Sequence, residues 1–326
     1  MKAMTITQIG DVDVFEQTEQ PVPQLKPGHM IVEVKATSVN PLDTMLRSVD
    51  TPWSENLPKI LHGDVAGVVV AVDESTSNFK VGDEVYGCAG GIAGINGALA
   101  EFMLVDCDLM ALKPARLTMK QAAALPLVSI TAWEALCEKM NVQSGDNLLV
   151  HGATGGVGHI AVQLGKHLGA KVTTTVLSRT EEIARSFNAD NVVNVDHTSV
   201  EEYVAKHTDG HGFDAIFDTI AGDNIQRSFE AAKFNGQVAT ILPIADPLQI
   251  ALKGLSFHSV LMLIPMTQGI NRQRHGQILT HIAELVDQGV ITPLIDESDF
   301  SIWQAAEAHA HFQSGQVIGK MTLENK

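Results

Sequence analysis

The sequence predicts an α/β chain: a doubly wound parallel sheet in its middle, and a discontinuous β-rich, barrel-like unit built from both ends. Three observations carry this. Residues 147–178 read strand, Gly-rich turn, helix, strand; helical and extended segments then alternate to about residue 242; and roughly the first 120 residues hold short strands broken by Gly, Pro, Asn and Asp. At 326 residues the chain has room for about two domains and a sizeable core.

From the N-terminus, IVEVKATSV (31–39) alternates with period two, and DVAGVVVAVDE (64–74) is a β-branched run that reads as a buried strand, leading into turn chemistry at STSNFKVGDEVYG (75–87). AAALPLVSITAWEALCEKM (122–140) reads as helical with an interruption at Pro126. NLLVHGATGGVGHIAVQLGKHLGAKVTTTVLS (147–178) is the strand–turn–helix–strand unit. TEEIARSFNA (180–189) reads as helix, VVNV (192–195) as strand, FDAIFDTIAG (213–222) as strand and turn, QRSFEAAKF (226–234) as helix and GQVATIL (236–242) as strand. This alternation is the mark of a parallel sheet. Near the C-terminus, LSFHSVLML (255–263) is a strand candidate, RHGQILTHIAELVDQG (274–289) and AAEAHAHFQSG (305–315) are helices, and VIGKMTL (317–323) is a closing strand. The terminal segments are expected to return to the first unit, giving 1–122 with 264–326 as one domain and 123–263 as the other.

Composition excludes several classes. A count of 22 Lys+Arg against 38 Asp+Glu gives a formal charge of −16, which opposes nucleic acid and anionic membrane surfaces. No run of apolar residues is long enough to span a bilayer, and the N-terminus lacks the apolar core of a signal peptide. Cys88, Cys107 and Cys137 are odd in number and widely spaced, so they form neither a disulfide framework nor a C-x-x-C metal site; they read as buried small hydrophobes in a protein of the reducing cytoplasm.

The strongest chemical signal is HGATGGVG (151–158), in which Ala153, Gly155 and Gly158 fit the A-x-G-x-x-G form of the dinucleotide fingerprint. Small residues are needed for a tight strand-to-helix turn, for close approach of backbone to a pyrophosphate, and for helix-on-strand packing. Ala153, Thr154, Gly155, Gly156, Val157 and Gly158 are therefore candidate cofactor-binding residues, with the helix N-terminus offering free N–H groups. The second strand of this unit ends at Ser178-Arg179 without the acid that NAD sites place there, which favours NADP, with Arg179 facing a 2′-phosphate. Ser178 with Glu181 also fits an S-x-x-E capping box.

Together with VKATSVNPLDTMLRS (34–48), HGDVAGVV (62–69), VGDEVYG (81–87), GALAEF (97–102), PLVSITAWEAL (126–136) and FDTIAG (217–222), the turn makes nearly the whole chain resemble the medium-chain dehydrogenase/reductase superfamily. Within it, the chain resembles the zinc-independent quinone oxidoreductase (zeta-crystallin-like) branch. The resemblance implies a Rossmann-type sheet plus a GroES-like barrel, NADPH as cofactor, and a homodimer paired through the 255–263 strand. Zinc members carry Cys near the position of Asn40 and His at that of Gly63, and three cysteines cannot make their four-cysteine structural loop. No zinc is expected. His62 is one step off the ligand position, and the pairs His207/His211 and His309/His311 read as solvated.

The implied reaction is hydride transfer from NADPH to a quinone, or alternatively to an α,β-unsaturated carbonyl such as a 2-alkenal or enone. A non-catalytic, crystallin-like nucleotide binder is the alternative of another class. Without a Lewis acid the acceptor must already be electron-poor. By family position, Asn40, Asp43 and Asp64 are the candidate catalytic residues, Asn40 also touching the nicotinamide. Asp43 either orients Arg47 or serves the turn after Pro41, and Asp64 either faces the cleft or is a strand-edge acid. Met45 stands where the family often has Tyr, implying a looser pocket. Thr131, Asp218, Thr219, Ile241 and Leu242 are further cofactor candidates, and Lys320 either reaches the cleft or snorkels. The Lys and Tyr that relatives place near Glu181 and Val195 to hold the 2′-phosphate are missing.

Overall fold

The protein is described by a computed structural model that covers residues 1–74, 78–242 and 247–326. The start of the predicted turn, at 75–77, lies outside the described residues. The chain divides into two units: Met1–Leu127 with Leu263–Gly289 and Ile295–Lys326, and Val128–Met262 with Val290–Leu294. The division after Leu127 falls beyond residue 122, and a short piece of the C-terminal third joins the second unit.

The first unit is built from β1 (Lys2–Thr5), β2 (Glu16–Glu19), β3 (His29–Ser38), β4 (Asp64–Val72), β5 (Glu84–Cys88), β6 (Phe102–Asp106) and β7 (Met110–Leu112), with β14 (Phe300–Ser301) and β15 (Thr322–Glu324) returning from the C-terminus. Strands β1 and β2 pair as a ribbon, and the main sheet runs β14-β15-β3-β4-β5-β7 with β6 also on β3. The long β3 is the spine. Its apolar positions Met30, Val32 and Val34 are fully buried, in agreement with the alternation of the sequence. Two registers position the candidate site. Thr322 faces Ser38 across β15–β3, and Thr37 faces Val65 across β3–β4. The residues just past the end of β3 are thereby flanked by Lys320 on one side and by Asp64 on the other.

The second unit is an all-parallel sheet of β8 (Asn147–His151), β9 (Lys171–Val176), β10 (Asn191–Asn194), β11 (Phe213–Asp218), β12 (Ala232–Thr240) and β13 (Ser256–Ser259), ordered β10-β9-β8-β11-β12-β13. The order reverses between β8 and β11, the topological switch point at which such sheets bind ligands. Leu149, Ile216 and Val238 of the sheet pack with Tyr203, Phe213 and Phe229 as one buried cluster. Pro126 opens the helix Pro126–Trp133 after the short helix Met119–Ala123, and the chain then continues as a π-helix over Glu134–Lys139.

Four predicted elements change. The closing strand predicted over 317–323 begins only at Thr322 and runs to Glu324. The helix predicted over 226–234 stops at Ala231, and β12 begins at Ala232, because Ala232 is already paired with Phe213 of β11. The strand predicted over 255–263 shrinks to Ser256–Ser259, and the helix Ile264–Gln268 follows with Pro265 in its first turn. Only Glu181–Arg185 of the 180–189 stretch is α-helical.

Candidate active site

Three adjacent strand ends of the first unit bring Asn40, Asp64 and Lys320 together, and all are buried. Asn40 caps the helix Pro41–Ser48, where Pro41 at the first position suits a fixed helical φ. Its Nδ2 donates to Asp64 Oδ2 at 2.9 Å, and its Oδ1 accepts from Lys320 Nζ at 2.6 Å. The Lys320 ammonium also donates to the Val39 carbonyl at 3.0 Å and lies 3.6 Å from Asp64 Oδ2. Asp64 further accepts from Ser38 Oγ at 2.6 Å and from the Leu127 amide at 2.9 Å. A buried carboxylate with this many donors stays in place, since leaving it unpaired would be strongly unfavourable. Of the two readings of Lys320, surface snorkelling is excluded; burial lowers the pKa of its ammonium, and the charges of Asp64 and Asp43 oppose that.

Asp43 sits at the third helical position, and its Oδ2 accepts from the Asn40 amide at 2.8 Å. Burial, helped by the Asp64 charge, raises its pKa to about 7 against the lowering effect of that amide. The reading in which Asp43 orients Arg47 is corrected. Arg47 lies one turn on and turns away, donating from Nη1 to the Gly10 carbonyl at 2.7 Å, from Nη2 to Gln313 Oε1 at 2.9 Å and from Nε to His309 Nδ1 at 3.3 Å. His309 is fully buried, so the solvated reading of the His309/His311 pair fails for His309, while His311 is partly exposed. Residues two apart on the helix Ala305–Gln313 point to opposite sides of it. His207 and His211 are half-buried and exposed. Met45 is exposed.

The residues of the first unit do not fit a zinc ion. Zinc takes Cys, His or carboxylate ligands in a tetrahedron. At Gly63 a side chain has no room, because a Cβ there would meet the Gly90 carbonyl oxygen at 2.9 Å and Cys88 Sγ at 3.1 Å. Asn40 is committed to Lys320 and Asp64, and the Lys320 ammonium already supplies the local positive charge. Burial, with the Asp64 and Asp43 charges, raises the Cys88 thiol well above its ordinary pKa, so it is not a ready thiolate. Among the described residues, no three His, Cys, Asp or Glu are grouped to hold a metal.

In the second unit the residues fit a dinucleotide. Gly152 has φ +78°, and a Cβ at Gly158 would lie 2.0 Å from the Gly152 carbonyl oxygen, so the turn closes only with glycine at both positions. Gly155 is the N-cap of the helix Gly156–His167 and supplies no side chain to its amides. That is the arrangement of an anion site at a helix N-terminus. Ala153 is buried under the turn, and Thr154, Gly156 and Val157 are half-exposed along it. Thr175 anchors the turn, its carbonyl accepting from the amides of Gly152 and Ala153 and its Oγ1 lying 3.0 Å from His151 Nδ1. The buried His151 Nε2 has no hydrogen-bond partner among the described residues.

The other predicted residues lie around this turn or serve the fold. Thr131 is buried in the helix Pro126–Trp133. Thr219 Oγ1 donates to the His151 carbonyl at 2.6 Å and holds the neighbouring strand end to the glycine turn. Asp218 serves its own turn, accepting from the amides of Ile220 and Ala221 and from Ser228 Oγ. Ile241 and Leu242 lie just past β12 and are partly exposed. Arg179 is exposed on the turn after β9. Ser178 does not form the capping box. Its amide and Oγ both donate to Asp196 Oδ2, at 2.8 and 2.6 Å, while Glu181 binds Arg185 and Asn194. Asp196 was not among the sequence candidates. It stands two residues past the end of β10, the next parallel strand, and strand ends are where such sheets offer ligand contacts.

A parallel sheet with a glycine turn at its switch point, joined in one chain to a mainly antiparallel unit with a buried Asn–Asp–Lys group, defines a nucleotide-dependent oxidoreductase. Similarity to known proteins places it further. Residues 26–115 match the alcohol dehydrogenase GroES-like domain, and residues 187–323 match the zinc-binding dehydrogenase domain. The chain is 30% identical to a quinone oxidoreductase of Sus scrofa over 99% of its own length and 97% of that protein. It is 30% identical to a 2-methylene-furan-3-one reductase of Solanum lycopersicum and 29% identical to an NADPH-dependent alkenal/one oxidoreductase of Arabidopsis thaliana, in each case over 99% of this chain and 79% of the relative. An alcohol dehydrogenase superfamily protein from Novosphingobium aromaticivorans superposes with a TM-score of 0.94 at 32% identity, with full coverage of both chains. The chain belongs to the medium-chain dehydrogenase/reductase superfamily and is an oxidoreductase.

Proposed function

We propose that this protein is a zinc-independent reductase that uses NADPH to reduce quinones. The observation that carries the reading is the Lys320–Asn40–Asp64 group: Asn40, near the position where zinc members of the family carry a cysteine, is an amide already bonded to an ammonium and a carboxylate. The second unit is the nucleotide domain, with Ala153, Thr154, Gly155, Gly156, Val157 and Gly158 around the diphosphate and Thr219 bracing the turn. The first unit is the substrate domain. NADPH supplies a hydride. Asn40, fixed by Lys320 and Asp64, keeps one amide hydrogen to offer to the acceptor's carbonyl oxygen. The nearby ammonium stabilises negative charge developing there. Such modest help suffices only for an acceptor that spreads charge over a conjugated system, as a quinone does.

The enone or 2-alkenal reading uses the same residues, and two relatives bear names of that chemistry. NADP is supported by one relative's printed NADPH dependence and by Arg179 at the end of β9. A homodimer is supported by β13, which is an edge strand of the parallel sheet among the described residues. The test is direct. Metal-stripped protein is mixed with NADPH and, separately, 1,4-benzoquinone, a 2-alkenal and a saturated aldehyde, and loss of NADPH absorbance is followed. Turnover with the quinone and none with the aldehyde supports the reading. Activity that returns only with stoichiometric zinc overturns it.

A further inference from the structure

Two buried histidines of the first unit form a hydrogen-bonded line that the proposed reaction does not use. Arg47 Nε lies 3.3 Å from His309 Nδ1, His309 Nε2 lies 2.9 Å from His62 Nε2, and His62 Nδ1 lies 3.4 Å from Thr37 Oγ1, which in turn donates to the Asp64 carbonyl at 2.6 Å. The imidazole rings meet edge to edge, within 16° of one plane, with centroids 5.2 Å apart. His62 and His309 are 247 residues apart in the chain.

The line has one direction. Arginine only donates, so His309 Nδ1 accepts and its proton is on Nε2. That proton points at His62 Nε2, which must accept, so the His62 proton is on Nδ1 and points at Thr37. The Thr37 hydroxyl then gives its own proton to the Asp64 carbonyl. A second proton on either ring would set two N–H groups face to face, so both rings are neutral. Burial supports this independently: it lowers His62 well below the ordinary histidine pKa and, with the Arg47 charge, lowers His309 to about 3.

We infer that His309 and Arg47 are positioning residues for the Asn40–Asp64–Lys320 group, acting through His62 and Thr37. The inference rests on the reading of that group as the reacting site. The line ends on both borders of the group. Arg47 lies in the helix that Asn40 caps, and Thr37, with its neighbour Ser38, holds the Asp64 carbonyl and carboxylate. His62 immediately precedes this stretch with φ +70°, a left-handed backbone that a histidine keeps only when its surroundings fix it. The side-chain line and the Ala98 amide bonded to the His62 carbonyl at 2.9 Å do so. Loss of the line frees His62, lets Asp64 shift along β4, and loosens Asn40 without removing a group that touches substrate.

Two readouts test this on the full-length protein. With ¹⁵N-labelled histidine, long-range ring correlations assigned through His62→Gln and His309→Gln are expected to report Nδ1–H for His62 and Nε2–H for His309, unchanged between about pH 6 and 8. The opposite tautomer, or a ring that titrates in that range, overturns the inference. Kinetically, His309→Phe keeps the ring but breaks the line, whereas His309→Gln can accept from Arg47 and donate to His62. The Phe variant is expected to lower kcat for NADPH oxidation by 1,4-benzoquinone about tenfold or more with little change in the NADPH Kd, and the Gln variant to restore it to within about threefold. Equal kcat in the two variants overturns the inference. Asn40→Ala is the control that separates the two claims. If it leaves kcat unchanged, the site reading itself fails; if it lowers kcat while His309→Phe does not, only the positioning role fails.

Discussion

Lys320 and Asn40 meet at 2.6 Å, ammonium to amide oxygen, and that contact decides which way the Asn40 amide faces. With its oxygen turned to Lys320, its nitrogen must face Asp64 and whatever approaches from the far side. Lys320→Met removes the cation and leaves the Asp64 carboxylate buried with only neutral donors. The expected loss is about 3–5 kcal/mol of stability, read from urea unfolding at neutral pH, together with a large fall in kcat. Lys320→Arg is not expected to restore it, because the planar guanidinium cannot take the place of a compact ammonium between the Val39 carbonyl and Asn40. Unchanged stability in Lys320→Met would mean that Asp64 needs no counter-charge.

The Asp43 carboxyl gives the protein a pH dependence of definite sign. Its pKa rises from an ordinary 3.8 to about 7 on folding, so the folded state holds a proton that the unfolded chain has lost. Its contribution to stability is fully present below about pH 4, declines as pH rises to about 7, and is flat above that. Asp43→Asn removes this decline, since an amide oxygen still accepts from the Asn40 amide. The variant should gain on the wild type by at most ~4 kcal/mol between pH 4 and 8 in urea unfolding. His309, pushed down to about 3, acts in the opposite sense by losing stability as pH falls below its unfolded pKa. The difference between variant and wild type isolates Asp43 from it. A constant difference across this range would show that Asp43 stays ionised.

Much of the fold and of the site is legible in the sequence where the determinants are local. The glycine turn announces itself because its small residues, the apolar strand before it and the helix after it lie within about 30 residues of one another. Asn40 and Asp64 stand out through motif positions, and their contact follows from the β3–β4 register, which alternation alone does not specify. The His62–His309 line is not legible, because its partners join the two ends of the chain. One signal does exist: on a helix, two histidines two residues apart cannot share a face, so His309 and His311 call for separate readings. The capping box at Ser178 fails for a related reason. A local pattern loses to a carboxylate delivered by the next parallel strand.

That carboxylate bears on the coenzyme. Asp196 accepts both Ser178 donors, and the Ser178 hydroxyl and amide hold its pKa below the ordinary carboxylate range. It therefore brings a negative charge to the strand end at which Arg179 stands. Under the NADPH reading, Asp196→Asn should tighten NADPH binding about tenfold at low salt and leave NADH nearly unchanged, because only the 2′-phosphate carries the extra charge. Arg179→Ala should do the reverse, weakening NADPH far more than NADH. Fluorescence titration of both nucleotides measures the ratio. If Arg179→Ala weakens both equally, the arginine does not read the phosphate.

The glycine turn gives the sharpest steric prediction. In Gly158→Ala the new methyl would fall 2.0 Å from the Gly152 carbonyl oxygen, a contact that no rotamer relieves because both atoms belong to the backbone framework. The helix Gly156–His167 must then move away from the turn, carrying its N-terminal amides with it. Nucleotide binding should fall by two orders of magnitude or so, since several backbone donors are displaced at once, each worth on the order of 1 kcal/mol. Gly155→Ala is the informative partner. Among the described residues a Cβ there meets only the Gly152 carbonyl oxygen, at 3.3 Å, so the fold should be kept. Under the NADPH reading, its methyl instead intrudes on the space proposed for the diphosphate. A melting temperature close to wild type with much weaker NADPH binding in Gly155→Ala would separate occupancy of the turn from its construction. Wild-type NADPH affinity in that variant would mean that the diphosphate does not lie against residue 155.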